Sequence, residues 1–245
     1  MSDTNRYPVE DILGEFSKET YTGAFGTIPY RLYIPASGAK NAPVVLFMHG
    51  AGERGTDNEL PLRAALEAFT KSNPVVHDAI FIVPQCPEEE QWVMTPWYDV
   101  SYSVEKVPES WENKTVLEIL EKVVSETGAD RDRIYVMGLS MGGFATWDLI
   151  MRHGELFAAA MPICGGADPT QAEKVKDIPI QTFHGDIDEA VPVDGTRQMV
   201  AALKAVGGNI TYTEYPGAGH WTWDMACSTD GIGEWMFSKR LSDRK

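Results

Sequence analysis

Five short, unbroken apolar runs divide this chain: PVVLFMH at 43–49, AIFIVP at 79–84, IYVM at 134–137, AAAMPIC at 158–164 and IQTF at 180–183. Apolar runs of this length predict strands buried on both faces. Helical stretches separate the later ones. Residues 114–127 carry Val116, Leu117, Leu120, Val123 and Val124 at helical spacing and stop before Gly128. Residues 142–153 and 196–206 read as two more helices, the second ending at Gly207-Gly208, and 233–240 as a last one. Strands alternating with helices require a mostly parallel sheet with helices on both faces. Ahead of these runs, 16–23 and 27–34 alternate around a turn region at Gly23–Gly26, which predicts an antiparallel pair at the N-terminal edge. In such sheets ligands bind beyond the carboxyl ends of the strands, so the residues just after each strand are where chemistry is expected.

The rest of the composition narrows the function. No repeat, low-complexity segment or long Pro/Gly-rich linker interrupts the 245 residues, so a single domain over 1–245 is expected. A formal charge of −15 leaves no basic excess for nucleic acid or for an anionic membrane surface. No stretch approaches the roughly 20 apolar residues of a membrane span. The first 20 residues hold Asp3, Glu10, Asp11 and Glu15 without an apolar run. That pattern is not a signal peptide, and with Met1 as the start the expected location is the cytoplasm. Disorder is expected only in the first few residues and in Ser242 to Lys245. Cys86, Cys164 and Cys227 are too scattered for a disulfide framework or a zinc site. His49, His77, His153, His184 and His220 show no H-x-H or H-E-x-x-H spacing, so neither metal nor cofactor is expected.

Directly after the run at 134–137 comes Gly138-Leu-Ser-Met-Gly142, then a helical stretch. G-x-S-x-G between strand and helix is a nucleophile elbow. The serine must sit on a very tight turn to project its hydroxyl past the sheet, and glycines two before and two after keep side chains off the neighbouring backbone. The helix start behind Ser140 aims N–H groups at developing negative charge.

A serine nucleophile needs a base and an acid, and in the fold that carries this kind of elbow they follow it in the order acid, then histidine. His220 lies in the glycine loop PGAGHW after a final strand at 211–215, a placement that can deliver an imidazole to the serine. His184, at a strand end before Gly185, reads as a turn or core histidine. In the loop HGDIDEAVP at 184–192, Asp186, Asp188 and Glu189 all qualify as the acid on position, and Asp194 less well. The residues alone do not separate them.

HGDIDEAVP resembles the acid loop of esterases in the α/β-hydrolase superfamily, especially the carboxylesterase and dienelactone-hydrolase-like branch. The resemblance implies that Asp188 is catalytic and Asp186 structural. LFMHGAGERGTDN at 46–58, IVPQCP at 82–87, GLSMGGFATW at 138–147 and GAGHWTW at 217–223 resemble bacterial esterases and predicted peptidases related to feruloyl and acetylxylan esterases. The likeness runs from about residue 20 to 240. It implies the α/β-hydrolase fold without a large lid domain, and hydrolysis of carboxylic esters through an acyl-enzyme. One oxyanion N–H is expected from Met141, the residue after the nucleophile. By similarity to HG-x-G loops of these esterases, the other is expected from Ala51.

Trp92 and Trp97, with Tyr98, in the loop QWVMTPWY at 91–98, and Trp221 beside His220, are expected to wall a substrate pocket. The short connections between strands predict an open site. An open site points to short acyl esters or an aromatic acyl such as a hydroxycinnamate. The partner implied is a small-molecule ester, including an oligosaccharide ester imported as a fragment. A serine peptidase of the same fold is the rival enzyme, and a non-catalytic binding module the rival of another class.

Overall fold

The apolar runs form the middle of an eight-stranded sheet in a computed structural model that describes residues 12–63 and 65–244. The strands are β1 (Ser17–Thr22), β2 (Thr27–Tyr33), β3 (Val44–Met48), β4 (Ile80–Pro84), β5 (Ile134–Leu139), β6 (Ala159–Ile163), β7 (Ile180–Gly185) and β8 (Ile210–Tyr215). Their spatial order is β1-β2-β4-β3-β5-β6-β7-β8. β1 pairs with β2, and β2 with β4, antiparallel; every later pairing is parallel. This is the α/β-hydrolase architecture.

The helices are α1 (Ala65–Ser72), α2 (Trp111–Thr127), α3 (Met141–His153), α4 (Ala172–Val175), α5 (Val193–Ala205), α6 (Trp223–Cys227) and α7 (Ile232–Phe237). The twofold alternation of strand side chains splits the core. Val44, Leu46, Ile80, Ile82 and Val136 face the layer that holds Val116, Ile119 and Val123 of α2 and Leu149 of α3. Val45, Phe47, Phe81, Val83 and Met137 face the opposite layer, with Leu66 and Phe69 of α1 and Met236 of α7. Both faces of the central strands are therefore buried, which is why their sequences are continuously apolar rather than alternating.

The helices depart from the sequence reading mainly at their starts. α2 begins at Trp111 rather than 114, because Ser110 caps it by accepting from the Asn113 N–H at 3.1 Å. That polar first turn carries no apolar periodicity. Its other end is as expected, with Gly128 in the left-handed conformation at φ 67°. α5 likewise starts earlier, at Val193, and the short α1, α4 and α6 lie outside the helices expected from sequence. The tail corrects another expectation. Ser242 donates its backbone N–H to Asp132 at 2.7 Å, and Leu241–Asp243 form a 3-10 turn, so residues 242–244 are tied down. The disorder expected for the first few residues concerns positions outside the described ones. Among the described residues no helix is long and apolar enough to cross a membrane.

Candidate active site

The loops after β3, β5, β7 and β8 meet at the carboxyl end of the sheet. Ser140 turns the chain from β5 into α3 with φ 54° and ψ −119°, a backbone conformation costly for a residue with a side chain. Packing holds it there. A Cβ at Gly142 would lie 1.9 Å from the Met48 carbonyl oxygen, and one at Gly138 2.5 Å from the same atom, so only glycine lets β3 approach the elbow. The Ser140 N–H donates to Ile163 O of β6 at 2.9 Å.

His220 arrives on the loop after β8. The Asp186 carboxylate accepts from the Gly217 N–H at 2.6 Å, and the Ile187 N–H donates to Ala218 O at 3.1 Å. The acid loop and the histidine loop are thus sewn together, with Asp186 as a brace. His220 Nε2 lies 2.8 Å from Ser140 Oγ, and its Nδ1 2.7 Å from Asp188 Oδ2. The structure therefore separates the candidates that position alone left open. Glu189 is exposed, and Asp194 pairs with Arg197 at 2.9 Å on the surface.

Asp188 has a fully buried side chain. Its Oδ1 accepts from the Ala190 and Val191 N–H groups, both at 2.8 Å, while Oδ2 receives His220 and, at 3.1 Å, His184 Nε2. Burial pushes the carboxyl upward, but hydrogen bonds from His184, His220 and the Val191 N–H outweigh it and hold the group well below the usual carboxylate range. A serine hydroxyl, an imidazole and an ionised carboxylate in hydrogen-bonded series can take the serine proton and stabilise the resulting imidazolium. The sequence reading took His184 for a turn or core residue. It is a core residue, with a contact to the acid that spacing did not reveal.

Ala51 opens a 3-10 turn, Ala51–Glu53, just after β3, and Met141 is the first residue of α3. N–H groups at helix starts have no partner within their own helix. His49 anchors the Ala51 loop. Its Nε2 accepts from the Cys86 N–H at 2.9 Å, which leaves Nδ1–H to donate to Gly50 O at 2.6 Å. Complete burial lowers the His49 pKa to about 4, so the ring stays neutral.

A cavity of about 270 Å³ opens in front of Ser140 and His220, with Ala51, Trp97, Trp221 and Trp223 in its lining. Trp97 is half-buried under the Arg54 guanidinium, 5.6 Å from the ring centroid. Trp221 is 80% exposed at the mouth, while Tyr98 is exposed and outside the lining. Trp92 corrects the sequence reading. It is completely buried, donates Nε1–H to His49 O at 3.1 Å, and packs edge-on against the His49 ring, so it supports the Ala51 loop from behind and does not line this cavity. The tryptophan that reading overlooked is Trp223. Its ring lies 5.6 Å from His220 and 4.8 Å from Trp221, and its only signal in sequence is its place three residues after the histidine.

Among the described residues, Cys164, Asp188 and His220 could bring three ligand atoms within 4.8 Å of one another. A metal there would compete with the hydrogen bond joining Asp188 to His220. Burial also holds the Cys164 thiol well above its ordinary range, which disfavours the thiolate a metal requires.

Comparison with known proteins places this geometry. The sequence pattern of the phospholipase/carboxylesterase family matches residues 31–228, from β2 past α6. The chain belongs to this family. As a phospholipase/carboxylesterase family member it is an α/β hydrolase of the carboxylesterase and thioesterase type. It is 24% identical over 202 residues to a probable carboxylesterase of Oryza sativa subsp. japonica, covering 76% of this chain and 74% of that one. It is 26% identical to acyl-protein thioesterase 1 of Neurospora crassa, covering 77% of this chain and 84% of that protein. Among solved structures, a thermostable esterase superposes with a TM-score of 0.84 at 36% identity over 94% of this chain. This chain spans 64% of that structure's length. The feruloyl esterase module of Clostridium thermocellum shares the fold, with a TM-score of 0.61 at 18% identity over 95% of this chain and 93% of that one.

Proposed function

We propose that this chain is a serine carboxylesterase that hydrolyses short-acyl or aromatic-acyl esters of hydroxycinnamoyl or acetyl type through an acyl-enzyme. The observation that carries the reading is the unbroken series from Ser140 Oγ to His220 Nε2 at 2.8 Å and from His220 Nδ1 to Asp188 Oδ2 at 2.7 Å. His220 accepts the hydroxyl proton as Ser140 attacks the ester carbonyl, and Asp188 orients and stabilises the imidazolium. The N–H groups of Ala51 and Met141 receive the oxyanion. His220 then protonates the departing alkoxide and activates the water that releases the acid.

The cavity supports the acyl preference. At about 270 Å³ it falls below the roughly 300–1,000 Å³ of sites for larger ligands. Trp97, Trp221 and Trp223 offer flat apolar surfaces for an aromatic acid. The substrate proposed is a small-molecule ester in the cytoplasm, including an imported oligosaccharide ester.

The test compares the wild type with Ser140→Ala on nitrophenyl esters from acetate to long chains, methyl ferulate and an anilide. Turnover of short esters that falls with chain length, with a loss of at least about 10⁴-fold in Ser140→Ala, is expected. A variant that keeps most of its activity would refute the assignment. Faster turnover of the anilide than of the esters would favour a peptidase.

A further inference from the structure

His184 presents a proton-inventory problem with a restricted solution. Its side chain is completely buried at the end of β7. Nε2 faces two acceptors, Asp188 Oδ2 and Val191 O, each at 3.1 Å. Neither an ionised carboxylate nor a carbonyl can donate, so Nε2 must carry the hydrogen. Nδ1 faces Thr196 Oγ1 at 2.8 Å, and that hydroxyl also lies 3.1 Å from Gly165 O. When Thr196 donates to Nδ1, the ring is neutral and both nitrogens are satisfied. A doubly protonated ring would put a full charge at a completely buried site, beside an Asp188 whose negative charge His220 needs during turnover.

The remaining charged and titratable groups around the ring are already engaged. From β8, Glu214 stands opposite His184 in register and is bound by Arg197 of α5 at 2.7 and 2.9 Å. From the residue after β6, the Cys164 N–H donates to Phe183 O at 2.8 Å and its thiol is buried. Asp186 is committed to the Gly217 N–H. Among the described residues, the one charged acceptor left for His184 is Asp188, through the same oxygen that holds His220.

We propose that His184 is a positioning residue for the relay: as its Nε2–H tautomer it fixes Asp188 Oδ2 in line with His220 and, by sharing that oxygen, tempers the pull of Asp188 on the His220 proton. The inference rests on the esterase reading above. Two hydrogen bonds to one carboxylate oxygen divide its charge between them, so removing one leaves more for the other. Without the His184 donor, Asp188 turns more freely and stabilises the His220 imidazolium more strongly. The base is then lost to protonation at a higher pH.

Two amide substitutions separate this role from packing. A glutamine amide nitrogen falls near the position of histidine Nε2 and can still donate to Asp188, whereas an asparagine amide nitrogen falls near Nδ1 and cannot. For His184→Asn, we expect kcat on a short nitrophenyl ester to fall about 10-fold with KM little changed. The acid limb of kcat/KM against pH should move upward by about 0.5–1 unit. For His184→Gln the limb should stay near its wild-type position. An unmoved limb in His184→Asn, or the same displacement in both variants, would overturn the proposal.

Nitrogen-15 NMR of the wild type with labelled histidine decides the matter even where a variant does not fold. A protonated Nε2 and bare Nδ1 at His184 are expected, and a bare Nε2 would overturn the tautomer and the role with it. Failure of the esterase reading looks different, because Ser140→Ala would then retain activity while the His184 tautomer stayed as described.

Discussion

Replacing Glu112 with glutamine should stabilise the protein, and far more at pH 8 than at pH 5. Glu112 is the second residue of α2 and is only 1% exposed, and its Oε1 has no hydrogen-bond partner. Burial is the largest influence on its carboxyl, and the Glu90 carboxylate adds to it. The Ser110 hydroxyl and the helix-start N–H oppose them, and the result is a pKa raised from 4.5 to about 7. The sign follows from which state binds the proton more tightly. Here the folded state does, so the group's contribution is intact below 4.5 and is lost as the pH rises through about 7.

Integrated over that window, ionising the buried group costs about 0.8 kcal/mol at pH 5 and about 3.3 kcal/mol at pH 8. Glu112→Gln keeps the shape and removes the titration. Its advantage over the wild type should therefore grow by about 2.5 kcal/mol between the two pH values. For a chain of this size that corresponds to about 5–10 °C in Tm. The assay is thermal unfolding of both proteins at pH 5 and pH 8, read as the difference between them so that every other titrating group cancels. A Tm gap that is equal at the two pH values, or larger at pH 5, would refute the reasoning.

Three further substitutions test the site and its support. Asp188→Asn should lower kcat by about 10³–10⁴-fold with the fold retained, because an amide donor in place of the acceptor selects the wrong His220 tautomer; steady-state kinetics with a circular-dichroism melt would check it, and kcat within tenfold of wild type would count against Asp188. The tryptophans should separate by role. Trp92→Ala should cost about 3–5 kcal/mol of stability through the hole left in the core, measured by denaturant unfolding. Trp221→Ala should leave stability within about 0.5 kcal/mol and instead raise KM for an aromatic acyl ester.

Some of this was legible along the chain because burial on both faces is a local, one-dimensional signal. The runs at 43–49, 79–84 and 134–137 had to be central strands, and Gly138-Leu-Ser-Met-Gly142 behind one of them had to be a tight turn carrying a serine. The order of serine, acidic loop and histidine also lies in the linear sequence. Polar helix starts do not, since Ser110 caps α2 by a hydrogen bond that leaves no periodic trace.

Position and residue type could not choose among Asp186, Asp188 and Glu189; resemblance pointed to Asp188, and the tertiary structure supplies the physical reason. These residues share one loop and one chemistry, and they differ in where the turn points each carboxylate. Asp186 reaches the Gly217 N–H, Asp188 turns inward to His220, and Glu189 faces solvent. The same applies to the tryptophans, where Trp92, expected in the pocket wall, is buried behind it, and Trp223, given no role from sequence, lines the cavity. The second side-chain donor on Asp188 belongs here too. His184 and Asp188 are four residues apart, but their contact exists because β7 ends where the acid loop folds back over it. Residue types and spacing determine which chemistry a chain can carry, and the packing of β3, β5, β7 and β8 brings atoms from residues 140, 188 and 220 to within 3 Å of their partners.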